Sequence, residues 1–134
     1  MSNSEHLIDT FKKSLVATIK SIGKNQEAEI NFVTENPSID GKEINLTLPS
    51  ISSLKNDLSY IRGEADSMAL ELRLHNSKIH QQYLTGNNIS NQIFNVVEQS
   101  RCEAKGSQIF KGIKTNIFNK HNKDLLNDNN LNNE

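Results

Sequence analysis

The sequence predicts an α+β domain that is mostly helical, and three observations support this fold class. Near the N-terminus and along the second half of the chain, apolar residues recur every three or four positions, as in amphipathic helices. Between these regions, two short segments alternate apolar and polar residues, as in β-strands. The length of 134 residues suits one small core. We therefore expect an N-terminal helix, a β-hairpin or small antiparallel sheet, and a long helix packed with two further helices.

The first helix is predicted to run from about Ser4 to Ile22. Ser2 and Glu5 have the spacing of a capping box, and Gly23 is a suitable residue for the helix end. The side chains expected to face the core repeat at helical spacing: Ile8, Phe11, Leu15, Ile19 and Ile22.

Two strands are predicted next, at Glu27–Thr34 and Glu43–Leu48, because both segments alternate apolar and polar residues. The pair Asp40-Gly41 between them is a turn signal, and Pro49 ends the second strand. The simplest pairing of these strands is an antiparallel hairpin with a long connection. Since two strands alone are marginally stable, we expect helices to cover their apolar face, or another chain to add strands.

The rest of the chain is predicted to be largely helical. A long helix extends from about Ser53 to Tyr83, and Gly63 inside it marks a point where the helix can kink or break. A second helix is expected from about Ser90 to Lys105, ending near Gly106, and a weaker one over residues 108–126.

The last residues of the chain, 127–134, are nearly all Asn, Asp and Glu. Such a segment buries too little apolar surface to offset the entropy of ordering. We therefore predict a single domain over residues 1–126, followed by a polar disordered tail or linker.

Composition narrows the range of functions. The chain has 15 basic and 16 acidic residues, a balance that argues against a basic nucleic-acid-binding surface and a polybasic membrane anchor. No apolar run is long enough to span a membrane, and the first residues lack the apolar stretch of a signal peptide, so we expect a cytoplasmic protein. The single cysteine, Cys102, cannot form an internal disulfide and is interpreted as a packed thiol.

Charged residues on the long helix form the most informative pattern. Arg62, Asp66, Arg73 and His80 share one narrow stripe between two apolar faces, whereas Glu64, Ser67, Glu71 and Lys78 lie on the opposite side, which is interpreted as solvated. Buried charges are costly unless they are paired. Arg62 and Asp66 have the i,i+4 spacing of an ion pair within the helix.

Partners for Arg73 and His80 are expected on the next helix, which carries Glu98, Arg101 and Glu103. Arg101 borders the apolar stripe by which this helix is expected to pack, so its guanidinium is predicted to reach a carboxylate across the helix pair. That stripe consists of Ile93, Val96, Val97 and Ala104. The preferred interpretation is a structural ion-pair network that holds two helices in register; the alternative is a polar cleft that meets a ligand or partner.

No common catalytic motif is present in the sequence. His75 and His80 are five positions apart, which does not place two imidazoles on one helical face for a metal ion, and the six glycines form no phosphate-binding loop. A strand–turn–strand–helix order is shared with zinc metalloproteases, but residues 66–70 read D-S-M-A-L instead of H-E-x-x-H. We predict no catalytic, cofactor-binding or metal-ligating residues. A metal-free zincin-like structural domain with purely architectural charges, its function residing in a further C-terminal region, remains the alternative.

Two segments resemble the CobT subunit of aerobic cobaltochelatase. Residues 62–70, together with Arg73 and His75, resemble that family's R-G-x-x-D-S-x-A-x-x-x-R-x-H run. Residues 97–106 resemble its V-E-Q-x-R-x-E-x-x-G run. Flanking segments occur in the same order, so the resemblance extends over about residues 11–117.

The resemblance implies that this chain is the N-terminal domain of a longer, bacterial and cytoplasmic subunit. In that family, an acidic linker and a von Willebrand A-type domain with a metal-ion-dependent adhesion site follow. CobT subunits work in a chaperone-like complex with CobS, an AAA+ ATPase, and CobN, a large subunit. The complex is a ligase that uses ATP to insert cobalt into hydrogenobyrinic acid a,c-diamide during cobalamin biosynthesis.

For this domain, the resemblance implies a non-catalytic assembly or partner-docking role. ATP, magnesium and cobalt are expected in the whole complex, and no cofactor is expected in the domain itself. The expected partners are a CobS-like and a CobN-like subunit, with no nucleic acid and no membrane, and homo-oligomerisation is left open. The residues proposed for docking, or for the structural network, are Arg62, Asp66, Arg73, His80, Glu98, Arg101 and Glu103.

Overall fold

A computed structural model describes residues 2–132 of the chain. The elements in chain order are α1 (Asn3–Ile22), β1 (Glu29–Val33), β2 (Ser38–Asp40), β3 (Glu43–Thr47), α2 (Ile51–Asn56), α3 (Leu58–Leu74), α4 (Ser77–Gln82), α5 (Asn88–Ile109) and α6 (Lys111–Asn132). The predicted α+β class is confirmed: an N-terminal helix is followed by a small sheet and then by helices.

Helix α1 forms as the sequence predicts. The Ser2 hydroxyl accepts a hydrogen bond from the Glu5 amide, and the Glu5 carboxylate accepts one from the Ser2 amide, so the capping box is confirmed. The helix ends at Ile22 and is followed by the C-cap residue Gly23, whose amide donates to the Ile19 carbonyl. Leu15 and Ile19 are buried against the sheet and α3.

The sheet has three strands in the order β1-β3-β2. β1 and β3 pair in parallel, so the predicted antiparallel pairing of these two segments is wrong. The hairpin forms instead between β3 and the additional strand β2, around Gly41, whose φ of 60° suits a residue without a side chain. With three residues, β2 is too short to show an alternating pattern.

The two faces of the sheet differ in polarity. Ile44 and Leu46 of β3 are almost completely buried and join the core beneath α1 and α3. On the other face, Asn45 accepts a hydrogen bond from the side chain of Asn31 and donates one to Ser38, linking all three strands. The apolar face is thus covered by helices, as the sequence predicts.

The predicted long helix over residues 53–83 is wrong, because the segment forms α2, α3 and α4. The first break is at Asp57, and the second is at His75-Asn76, where the Asn76 side chain accepts from the Ile79 amide and caps α4. Neither break is at Gly63. That glycine lies within α3 where a Cβ would clash with the main-chain oxygen of Asn116 in α6.

Helices α5 and α6 are longer than predicted. α5 continues through Gly106, where a Cβ would clash with the buried Leu70 side chain, and it ends at Ile109. α6 continues to Asn132, so the helix extends into the segment predicted as a disordered tail. Residues 127–132 are all exposed, and residues 133–134 of that segment lie outside the described part of the chain.

Helix α3 lies at the centre of the fold, packed against α1, α5, α6 and the sheet. The prediction that one side of it is solvated is wrong for Glu64 and Ser67, which are only 4% and 5% exposed. One core cluster lies between α1, the sheet and α3, and a second joins Leu70 to Ile113 and Ile117 of α6. Within residues 2–132, no helix is both long and apolar enough to cross a membrane.

Candidate functional site

A buried carboxylate, Glu103 of α5, joins three helices. Its Oε1 accepts hydrogen bonds from the Ser67 hydroxyl of α3 at 2.5 Å and from Gln99 Nε2 at 3.0 Å, and its Oε2 lies 2.7 Å from Nε2 of His121 in α6. Burial raises the pKa of Glu103, but the hydrogen bonds from Ser67, His121 and Gln99 outweigh it, and the net pKa is below the ordinary value. The ionised carboxylate therefore stabilises the junction of α3, α5 and α6.

A second cluster is centred on Glu98 and lies closer to the surface. Arg101 donates from Nε to Oε2 at 2.9 Å and from Nη2 to Oε1 at 2.8 Å, and His75 Nδ1 is 3.0 Å from Oε1. The same Nη2 of Arg101 donates to the carbonyl of Leu74, at the end of α3. These bonds, led by the one from Arg101, lower the pKa of Glu98 to about 2. Arg101 thus makes the predicted contact across the helix pair, but with the Leu74 carbonyl of α3. Its carboxylate partner, Glu98, is on the same helix, α5.

Cys102 is completely buried beside this cluster, with its Sγ 3.6 Å from Oε1 of Glu98. Burial, followed by the neighbouring carboxylate charge, raises the pKa of the thiol to about 12. At neutral pH the residue is therefore a protonated, packed thiol, as predicted.

Asp66 of α3 is buried and accepts a hydrogen bond from Asn116 Nδ2 of α6 at 3.0 Å. Burial raises its pKa, while the Asn116 bond and the charge of Arg62 act in the opposite direction. Among residues 2–132, the predicted ion pair between Arg62 and Asp66 does not form: the Arg62 side chain is exposed, whereas Asp66 is buried. The partner of Asp66 is a neutral amide from a helix that the sequence pattern did not connect to it.

Arg73 and His80 have different partners. Arg73 donates from Nη1 to the carbonyl of Ile22, at the end of α1, and lies over the Phe110 ring at 5.4 Å. Its predicted partner on α5 is therefore wrong. His80 Nε2 is 2.7 Å from Asn95 Oδ1 of α5, and its ring stacks on Phe94 at 4.4 Å. For His80, the prediction of a partner on the following helix is confirmed.

The seven predicted site residues do not form one cluster. Within the described part of the chain, Glu98 and Arg101 are the only two of them that bind each other directly. Asp66, His80 and Glu103 bind side chains outside the predicted set, namely Ser67, Asn95, Gln99, Asn116 and His121. One signal was available: α3 carries small residues on two opposite sides, Gly63 with Ser67 and Ala65 with Ala69, which is typical of a helix in close contact with neighbours on both sides.

A polar cleft of about 590 Å³ opens between the β2–β3 turn and the ends of α3, α4 and α5. Its walls include Asp40, Lys42, Glu71, His75, His80 and Asn95. A smaller adjoining cavity is lined by Glu71, His75 and Glu98, which places the Glu98 cluster at the edge of the cleft. In residues 2–132, no three His, Cys, Asp or Glu side chains are grouped so that they could hold a metal ion.

The outer surface of α5 is apolar. Its bulky side chains are about three-fifths exposed, so the expectation that α5 packs by this stripe is wrong; it packs through Cys102, Glu103 and Gly106. We call this surface the outer stripe, and it consists of Ile89, Ile93, Val96, Val97, Ser100 and Ala104.

Comparison with known proteins places this chain in a family. A family model described as "Cobalamin biosynthesis protein CobT" matches residues 5–132, nearly the whole chain, and this range includes both motif segments and the clusters around Glu98 and Glu103. No solved structure matches the chain. The resemblance seen in the sequence is thus confirmed over a longer range than the motifs cover. The chain belongs to the CobT family and has a role in cobalamin biosynthesis.

Proposed function

We propose that this chain is a non-catalytic assembly module of an ATP-dependent cobaltochelatase, the enzyme that inserts cobalt into hydrogenobyrinic acid a,c-diamide. Its partners are a CobS-like AAA+ ATPase subunit and a CobN-like large subunit. ATP and magnesium act in the whole complex, with cobalt as the substrate metal. Membership of the CobT family supports the pathway, and the geometry around Arg101 supports the docking role.

The guanidinium of Arg101 is the observation that carries the docking proposal. Two hydrogen bonds to Glu98 and one to the Leu74 carbonyl hold it in place, yet its side chain remains 46% exposed. Its Nη1 donates no hydrogen bond within residues 2–132. A guanidinium fixed in this way loses little conformational entropy when it binds a carboxylate of a partner, which is why such arginines often dominate interfaces.

The interior charges favour a different role for the remaining predicted residues. Asp66 and Glu103 are buried and bound to side chains of neighbouring helices, and Arg73 binds a helix end. These contacts favour the alternative in which the charges are architectural. We therefore divide the predicted set: Asp66, Arg73 and Glu103 hold the helices together, and Glu98 with Arg101 presents the docking surface. Of these two, Glu98 lines the small cavity beside the polar cleft.

The test is a binding measurement between this chain and the purified CobS-like and CobN-like subunits. We expect Arg101→Glu to weaken binding to at least one subunit by about 30-fold or more, because a partner carboxylate would meet a like charge. Lys55→Glu is the matched control, since it makes the same charge change at an exposed position of α2. Arg101→Lys, which keeps the charge but loses the bidentate geometry, is expected to give an intermediate loss.

Circular dichroism and thermal unfolding first establish that each variant is folded. Equal binding of both subunits by folded wild type and Arg101→Glu would refute docking through Arg101 and support the purely architectural alternative. Equal losses in Arg101→Glu and Lys55→Glu would show a general charge effect and would also count against the proposal.

A further inference from the structure

The outer stripe of α5 differs from ordinary helix surfaces in its continuity. Ile89 is 69% exposed, Ile93 61%, Val96 62% and Val97 59%. Isolated exposed apolar residues are common, but here they lie on one face over two turns. Together with Phe118 they expose on the order of 500 Å² of apolar surface, which is near the upper end for the largest patch on a monomer.

The two halves of the outer stripe have opposite shapes. The N-terminal half carries the bulky branched side chains of Ile89, Ile93, Val96 and Val97, whereas the C-terminal half carries only Ser100 and Ala104. Beside the small residues, α5 and α6 enclose a groove of about 910 Å³, whose walls include Ser107, Ile117 and Phe118. One end of the helix therefore projects apolar side chains, and the other end has room to receive them.

We propose that α5 pairs with α5 of a second copy of this chain in antiparallel orientation, about a two-fold axis near Val96 and Val97. In this register, Ile93 of one copy packs over Ser100 of the second, and Ile89 packs over Ala104. Each copy thereby places its bulky half in the groove of the other. A two-fold interface must be complementary to itself, and the large and small halves of the outer stripe meet this requirement.

Charge and area both favour a second copy as the occupant of the groove. Residues 88–97 contain no charged side chain, so this half enters the groove without desolvating a charge or meeting a like charge. The charged or titratable groups that face the groove are Glu103, Lys114 and His121, and Glu103 and His121 already bind each other. The exposed apolar surface, with its polar margin, approaches the roughly 800 Å² per partner of a standard interface.

This inference does not rest on the proposed cobaltochelatase role, and its test needs only the chain itself. We expect sedimentation equilibrium of the wild type to show a monomer–dimer equilibrium. Ile93→Glu buries an unpaired charge at the interface and is expected to weaken dimerisation by about 30-fold or more. Leu7→Glu is the matched control, because it places the same charge at an exposed apolar position of α1, and its dimer should be unchanged.

Cross-linking tests the antiparallel register. Variants Ile93→Cys and Ser100→Cys, mixed and treated with a short bis-maleimide, are expected to cross-link to each other far better than Ile93→Cys to itself. The native Cys102 is buried and gives a constant background. A wild type that stays monomeric at every concentration reached would overturn the proposal. Preferential Ile93→Cys self-cross-linking, or a dimer equally stable in folded Ile93→Glu, would also overturn it.

Discussion

Helix α3 and the first half of α5 distribute polar and apolar residues in opposite ways. α3 buries Glu64, Asp66 and Ser67 at the centre of the protein, whereas residues 88–97 of α5 expose most of their aliphatic side chains. In α3, each buried polar group has a partner on another element: the Thr47 amide and hydroxyl for Glu64, and side chains of α5 and α6 for the others. The comparison shows that α3 buries polar groups where other elements supply hydrogen-bond partners, while α5 leaves a continuous apolar face exposed.

The largest expected difference between the two regions concerns their apolar side chains. Leu70 of α3 is completely buried, so Leu70→Ala should lower the free energy of unfolding by about 4 kcal/mol, through lost burial and an unfilled cavity. Ile93→Ala on the outer stripe should change it by less than about 0.5 kcal/mol when the protein is dilute and monomeric. Urea unfolding measures both. Comparable losses for the two variants would contradict the placement of the outer stripe at the surface.

Removal of the central carboxylate is expected to have the next largest effect. Glu103→Ala leaves Ser67, Gln99 and His121 without their shared acceptor, and we expect a loss of about 3 kcal/mol in the free energy of unfolding. Glu35→Ala, at an exposed loop position, is the control and should be within about 0.5 kcal/mol of wild type. A Glu103→Ala protein as stable as this control would show that the three-helix junction does not depend on the carboxylate.

The close approach of α3 and α6 can be tested at Gly63. In Gly63→Ala the new methyl group would meet the main-chain oxygen of Asn116, which cannot rotate away, so we expect a loss of about 2 kcal/mol. Gly112→Ala introduces the same methyl group in α6, where no neighbouring element within residues 2–132 lies within 4 Å of it, and it should be neutral or slightly stabilising. If thermal unfolding shows that Gly112→Ala destabilises the protein more than Gly63→Ala does, α3 and α6 do not approach each other closely at Gly63.

The smallest expected effect is a pH dependence from Glu98. Its pKa is lowered to about 2 in the folded protein, from an ordinary value of 4.5. A lowered pKa means that its contribution is complete above about pH 4.5 and is lost as the pH falls toward 2. Glu98→Gln should therefore reduce stability by about 1 kcal/mol at neutral pH and make the melting temperature less sensitive to acid in this range. An unchanged acid dependence would contradict the assigned contacts of Glu98.

The sequence was sufficient to predict the elements whose apolar residues follow one clear period. α1, with its capping box, and the buried face of β3 have the predicted structure, and the CobT resemblance was visible in two motifs. The pairing of β1 with β3 was not predictable, because it depends on β2, three residues that carry no periodic signal. The breaks at Asp57 and at residues 75–76 interrupt a continuous helical pattern. The second depends on the Asn76 cap, whereas Asp57 makes no side-chain capping hydrogen bond.

For the candidate site, the sequence predicted which charged residues take part but not which residues they bind. Asp66, Glu98 and Glu103 stand out in the sequence because they are charges among apolar residues. The prediction that charges pair with charges is wrong for two of them, since Asp66 binds an amide and Glu103 binds a hydroxyl, an amide and an imidazole. The most apolar stripe of α5, predicted to face inward, is exposed. Helical periodicity identifies which residues share a face, but it does not determine which neighbour that face contacts.

Thiol labelling tests directly whether α5 buries its polar side and exposes its apolar side. The measurement compares the rate of labelling at native Cys102 in the wild type with that at the new thiol of Ile93→Cys, over a dilution series. We predict that Cys102 reacts only as fast as the protein unfolds, at every dilution. The new thiol should react rapidly and increasingly so on dilution, as the second copy dissociates. Rapid labelling of Cys102 in the folded protein, together with a protected thiol in monomeric Ile93→Cys, would show that α5 packs by its apolar side instead.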